Sequence, residues 1–210
     1  MARPRTSRGL DRLVNFSDAT VAIAITLLIL PLVDIASKIG NDSIGHLLVE
    51  NQDALISFFV TFFVIGRFWA AHHSVFEYAR SYNSALIRAN FAWLCSIAFL
   101  PFAANLLTNG ISSRPVYAIY IGTMIATTVS LGVVEWIMIH DPELIDPEAA
   151  KLSLFQSVLS SVLMSVALLI ALLVPHVGMY SLLVLLLTGP ITSYWTDRAK
   201  RRGAAQQGGE

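Results

Sequence analysis

The stretch Ala19-Thr-Val-Ala-Ile-Ala-Ile-Thr-Leu-Leu-Ile-Leu-Pro-Leu-Val33 decides the fold. It is apolar without interruption by charge, and with its flanks it reaches the roughly 20 residues that a bilayer-spanning helix needs. Immediately before it stands Arg12-Leu-Val-Asn-Phe16-Ser17-Asp18. An Arg, a Ser and an Asp at the mouth of a membrane helix are expensive to keep there, and such residues belong to functional or structural polar networks. The span it belongs to, roughly 14–35, is longer than the usual 7–15-residue core of an export signal, and Asp18 is wrong for one.

The rest of the chain repeats this pattern. Of its 210 residues 55% are apolar and only 13% charged, against about 25% charged in a soluble domain. The charge is confined to short segments. The reading is an all-α polytopic membrane protein with six spans, at roughly 14–35, 54–76, 87–108, 115–139, 152–174 and 177–196. Residues 1–198 form one transmembrane domain and 199–210 a basic, then polar, tail. Turn formers separate the spans: Gly40-Asn-Asp-Ser43, Asn109-Gly110, Asp141-Pro142, Asp146-Pro147 and Pro175-His176. Pro31 and Pro101 fall inside spans and are expected to interrupt them.

Basic residues set orientation. Eleven of the fourteen Lys and Arg, among them Arg3, Arg5, Arg8, Arg12, Arg80, Arg88 and Arg198, fall on one side of a six-span chain. Only Lys38 and Arg114 fall on the other, and Arg67 lies within a span. Both termini are therefore expected in the cytoplasm. Tyr117 and Tyr120 suit the outer interface and Trp136 the inner one. The lone Cys95 forms no internal disulfide and reads as a small buried hydrophobe.

Several polar residues could act together. Arg12 and Phe16, four apart, share a helix face. Asp18 lies about 240° around from Arg12, so each is expected to find partners on other helices. The second span offers Arg67-Phe-Trp69-Ala-Ala-His72-His73, with Trp69 spaced to meet both histidines, and the third offers Asn90 and Trp93. The expected result is a polar network that holds the first helix. Zinc binding by His72 and His73 is not expected, because adjacent side chains diverge by about 100° on a helix. The acidic segment Asp141, Glu143, Asp146 and Glu148 lacks the glycine and spacing of a calcium loop. No phosphate loop, nucleophile elbow or metalloprotease helix occurs, and an enzyme is not expected. Nothing calls for a cofactor or a nucleic-acid partner.

Two apolar stripes run along the first span: Ile23, Thr26, Leu27 and Leu30, and Val21, Ile25, Leu28 and Leu32. Periodicity does not choose which faces lipid, protein or a pore. Beyond them, Asp34 is either a solvated helix end or part of a carboxylate ring at a pore mouth that attracts cations.

The pattern Arg-x-x-x-Phe-Ser-Asp followed by Ala-Ile-Ala-Ile-Thr-Leu-Leu resembles the first helix of the transmembrane protein 175 family, the endosomal and lysosomal potassium channels and their prokaryotic relatives. The Trp and paired His of the second span, Asn90 and Phe99-Leu-Pro-Phe102 resemble it too. The motif occurs once, as in the single-repeat prokaryotic form. The resemblance implies a potassium-selective, leak-like channel in the cell membrane, four chains to a pore, with potassium as the permeant ion. Counted from Asp18, it places Ile23 at a hydrophobic constriction, Thr26 at a threonine layer tied to selectivity and Leu30 at a further apolar layer. It also implies a pore without a carbonyl filter, in keeping with the absence of Thr-Val-Gly-Tyr-Gly. The alternatives are a proton-permeable channel, a proton-coupled transporter using His72, His73 and Asp18, and a scaffold that transports nothing. Thr20-Val21, where many relatives carry Val-Phe, and the kink at Pro31 depart from the family pattern.

Overall fold

In a computed structural model of the chain, residues 7–37, 44–108, 114–146 and 166 are described. They form six helices: α1 (Ser7–Leu27), α2 (Leu30–Ser37), α3 (Ile44–Glu50), α4 (Gln52–Phe76), α5 (Ser84–Thr108) and α6 (Arg114–His140). Four stretches are long and apolar enough to cross a membrane: Arg8–Ser37, Gln52–Phe76, Ser84–Leu107 and Pro115–His140. They correspond to the first four expected spans. The spans expected at 152–174 and 177–196 and the tail at 199–210 lie outside the described residues.

The first span is α1 and α2 together, broken where Pro31 predicts. Proline has no N–H to return to the carbonyl four residues back. The ladder tightens ahead of it: Leu28 and Ile29 donate to the carbonyls of Ile25 and Thr26, three residues back, each at 3.3 Å. Regular bonding resumes with Val33 N–H to Ile29 C=O at 3.0 Å. Pro101 behaves otherwise. α5 runs through it unbroken from Ser84 to Thr108, because neighbouring helices in a bundle hold the chain straight enough to absorb one lost bond. The short α3 falls between the turn expected at 40–43 and the span expected from 54, and no residue in it is buried.

α5 is central, packing most extensively on α6 and also on α4 and α1. Small residues make the close approach possible: Ala89, Ala103 and Ala104 are buried in the contacts. Around them pack Ile65, Leu86, Trp93, Ile97, Leu100, Ile121, Met124, Val134 and Met138, all fully buried. Hydroxyls are satisfied within the bundle or within their own helix. Thr61 Oγ1 and the Tyr120 hydroxyl bond across α4 and α6 at 2.9 Å, while Thr127 and Thr128 donate to carbonyls four residues back. In an apolar medium that removes the cost of a bare donor.

Tyr117 and Tyr120 are buried between helices, where the Tyr120 hydroxyl meets Thr61. One expectation is corrected by this packing. Cys95 is exposed on the outward face of α5, where Phe91, Phe99 and Phe102 also lie exposed.

At the end of the bundle where α1 begins, the α4–α5 connection meets the segment after α6. Ala79 pairs with Ile145 as an antiparallel bridge. Arg80 N–H donates to Leu144 C=O at 2.8 Å and Asp146 N–H to Tyr78 C=O at 3.0 Å. Leu144 is buried under this clasp.

Candidate functional site

The site is built on α1, and its two faces differ. Leu10, Ser17, Val21, Ala24 and Leu28 are buried, three, four or seven residues apart, the spacing of one helix face. Val21 is 2% exposed. This is the stripe of Val21, Ile25 and Leu28, turned onto the chain's own helices. The other stripe is bare: Ile23 is 61% exposed, and Leu27, Leu30 and Thr26 are exposed beside it. Thr26 Oγ1 donates to Ile23 C=O at 2.8 Å, which leaves the oxygen's two lone pairs free to accept. Asp34 is exposed on α2, and Ser37 Oγ donates to its carbonyl at 2.8 Å.

The buried face is fixed by a directed chain of hydrogen bonds. His72 Nε2–H on α4 donates to Asn90 Oδ1 on α5 at 2.8 Å. Asn90 Nδ2 donates to Ser17 Oγ on α1 at 2.9 Å. Ser17 Oγ in turn donates to Leu13 C=O at 2.9 Å. All three side chains are buried, Ser17 at 1% exposure and His72 and Asn90 at 0%. Each link has one donor and one acceptor, so the chain fixes the Asn90 amide and the proton on His72 Nε2. The imidazole is also held by stacking, with Trp93 at 4.0 Å and Phe76 at 4.4 Å between ring centroids. Three helices are thereby locked at one level, by interhelical bonds worth about 0.6–2 kcal/mol each in membranes.

A second, peripheral arm runs one residue further along α1. Trp69 Nε1–H donates to Asp18 Oδ1 at 2.8 Å, and the Trp69 ring stacks on His73 at 5.4 Å. His73 Nε2 lies 3.5 Å from Glu77 Oε1, with both side chains about half exposed or more. That contact contributes little by itself. His72 and His73 therefore point to different places, as adjacent helix positions must.

The expected network is thus assembled for Ser17, Asp18, Trp69, His72, His73 and Asn90. Arg12 and Phe16 lie outside it. Arg12 is exposed and among the described residues has no ion-pair partner. Phe16 instead meets Phe91 of α5, ring centroids 5.7 Å apart, because a position one residue before Ser17 is rotated off the buried face. Two contributors went unread in the sequence: Phe76 as a platform for His72, and the Gly9–Tyr82 contact beside α1. The four-residue spacing of His72 and Phe76 signals the first; nothing local signals the second.

Comparison with known proteins bears on this site. Residues 12–101 match the family model described as endosomal/lysosomal potassium channel TMEM175. The chain is 31% identical over 140 residues to a potassium channel of Streptomyces collinus, covering 65% of this chain and 68% of that one. It is 25% identical over 179 residues to a potassium channel of a Chryseobacterium species, covering 83% and 90%. The endosomal/lysosomal proton channel TMEM175 of Homo sapiens is 26% identical over 144 residues, which span 66% of this chain and 27% of the human protein. Among solved structures, a homolog from Chamaesiphon minutus of a lysosomal potassium-selective channel TMEM175 superposes with a TM-score of 0.72 at 20% identity, over 87% of this chain and 97% of that one. The segment matched by the family model holds most of α1 through most of α5, and so every residue of the network.

Proposed function

The chain belongs to the transmembrane protein 175 family of ion channels, and from that premise we propose that it is a potassium-preferring, leak-like cation channel of the cell membrane, assembled from four copies around their first helices. The observation that carries this reading is the division of α1. One face is locked to α4 and α5 by Ser17, while Ile23, Thr26, Leu27 and Leu30 are left bare on the other. A helix fixed on one side with an unpartnered stripe on the other is suited to close a pore with its copies.

In this reading Ile23 forms the constriction. A ring of isoleucine offers no ligand to an ion, so it gates by excluding water or passes ions only when wetted. Thr26 hydroxyls, one per copy, coordinate a partly stripped cation, and potassium is favoured because it gives up water more readily than sodium. Leu30 adds an apolar layer, and the exposed Asp34 carboxylates concentrate cations at the mouth. The end carrying the start of α1 and the clasp at 77–83 and 141–146 is the cytoplasmic one, by its arginines.

A proton-permeable channel is the second reading, favoured by the name of the human relative. A carrier has less support: transporters pair broken helices in two halves, and among the described spans only the first is interrupted, since α5 passes Pro101 intact. The test is flux through the purified protein in liposomes, under a potassium gradient, then an equal sodium gradient, then a pH gradient. Faster potassium than sodium flux supports the proposal. Proton flux alone favours the second reading, and no flux from folded protein rejects both.

A further inference from the structure

The start of α1 is seated on an aromatic ring. Gly9 lies in its first turn, and a Cβ placed there would fall on the Tyr82 side chain, 2.8 Å from Cε1 and from Cζ. Real carbon atoms do not approach so closely, so a larger residue at position 9 must displace either the Tyr82 ring or the start of α1. Tyr82 is partly buried and packs against the hydrophobic core.

Tyr82 itself stands on a braced segment. Asn83 Oδ1 accepts the Leu86 N–H at 2.7 Å, capping α5, and Asn83 Nδ2 donates to Asp141 Oδ2 at 3.0 Å. Upstream, Ala79 and Arg80 are clasped to Ile145 and Leu144. The backbone on both sides of Tyr82 is therefore tied to α5 and to the segment that follows α6.

We propose that Tyr82, with Gly9 as its seat, is a positioning residue for the pore helix, and that the 141–146 segment bears on the pore through it. This rests on the reading of α1 as the pore helix. The geometry makes α1 a lever. Ser17, tied to Asn90, is the fixed point, about 12 Å from Gly9, and Ile23 lies about 9 Å beyond it, at 1.5 Å per residue. A base displaced by about 1 Å then moves Ile23 by about 0.75 Å in the opposite sense, a change that a hydrophobic constriction registers.

The test is a double-mutant cycle in liposomes with Gly9→Ala, Tyr82→Ala and the pair, plus Tyr82→Phe, reading the ratio of potassium to sodium flux and the melting temperature. A mere loss of folded protein lowers both fluxes together and leaves their ratio alone. Tyr82→Ala and Gly9→Ala are each expected to change the ratio by about threefold or more, within the range of residues that couple one region to another. Gly9→Ala is expected to be silent once residue 82 is alanine, and Tyr82→Phe to behave as wild type. Should Gly9→Ala fail to fold, the ratio in Tyr82→Ala decides. An unchanged ratio in Tyr82→Ala, or a Gly9→Ala effect of the same size with either residue at 82, overturns the proposal while wild type still conducts. A wild type that conducts nothing removes the pore reading and this role with it; non-additive melting shifts would then leave only a packing contact.

Discussion

The two faces of α1 carry nearly the same kinds of side chain and meet opposite fates. Val21 and Leu28 are buried; Ile23, Leu27 and Leu30, one to two residues away, stand exposed among the described residues. Hydrophobicity does not explain the difference, since both stripes are apolar. The difference coincides with the polar anchors, Ser17 bonded to Asn90 and Asp18 bonded to Trp69. Ser17 sits in register with Val21 and Leu28, and its bond from Asn90 holds that register inward. Polar contacts of modest energy thus mark which of two equivalent apolar stripes the helix offers to its surroundings.

That comparison can be broken most severely at its hinge. Asn90→Leu strands the His72 Nε2–H in the core and frees α1 from α5. We expect a loss of about 3 kcal/mol, the upper end of what a stranded buried donor costs, read as a lower melting temperature in detergent. A Ser17→Ala change strands one Asn90 Nδ2–H but leaves the His72–Asn90 bond in place, and should cost less, about 1–2 kcal/mol.

The same substitution on the two faces should then separate stability from flux. Val21→Asn buries an amide and should destabilise the protein by about 1–3 kcal/mol. Ile23→Asn, on the bare face, should leave the melting temperature within about 0.5 kcal/mol of wild type and raise cation flux about tenfold by wetting the constriction. Equal melting losses for the pair would dissolve the distinction between the faces.

Smaller effects sharpen the picture along the bare stripe. Thr26→Val keeps the shape and removes the hydroxyl; potassium and sodium fluxes should converge, by about threefold in their ratio, from the loss of one coordinating layer. Asp34→Asn should reduce cation flux about twofold at low salt and negligibly at high salt, since an exposed carboxylate acts over a Debye length. A salt-independent effect would place Asp34 in a different role.

How far the sequence could be read follows the same division. The four described spans were legible from length and apolarity, and the break at Pro31 from the missing N–H. The intact helix at Pro101 was not, because neighbouring helices decide whether a lost bond becomes a kink. Asp18 was expected to look for a partner on another helix, and Trp69 is that partner. The choice between stripes was not legible from periodicity, because a 3.6-residue period fits both equally; only the family resemblance singled out the Ile23 stripe. The inward register coincides with the bond from Asn90, which lies 73 positions from Ser17. Tyr82 beneath Gly9 was invisible for the same reason: no local pattern marks a ring that packs against a distant glycine.

The central claim, that the bare stripe of α1 lines a pore, is tested most directly by cysteine accessibility during flux. In a Cys95→Ser background, cysteines are placed singly at Ile23, Thr26, Val21 and, on the outward face of α4, Phe63. Potassium flux through liposomes is then followed before and after a water-soluble, positively charged thiol reagent. The account predicts that the reagent stops flux through Ile23→Cys and Thr26→Cys and leaves Val21→Cys and Phe63→Cys conducting. Flux that persists at Ile23→Cys and Thr26→Cys, or stops only at Phe63→Cys, would contradict it.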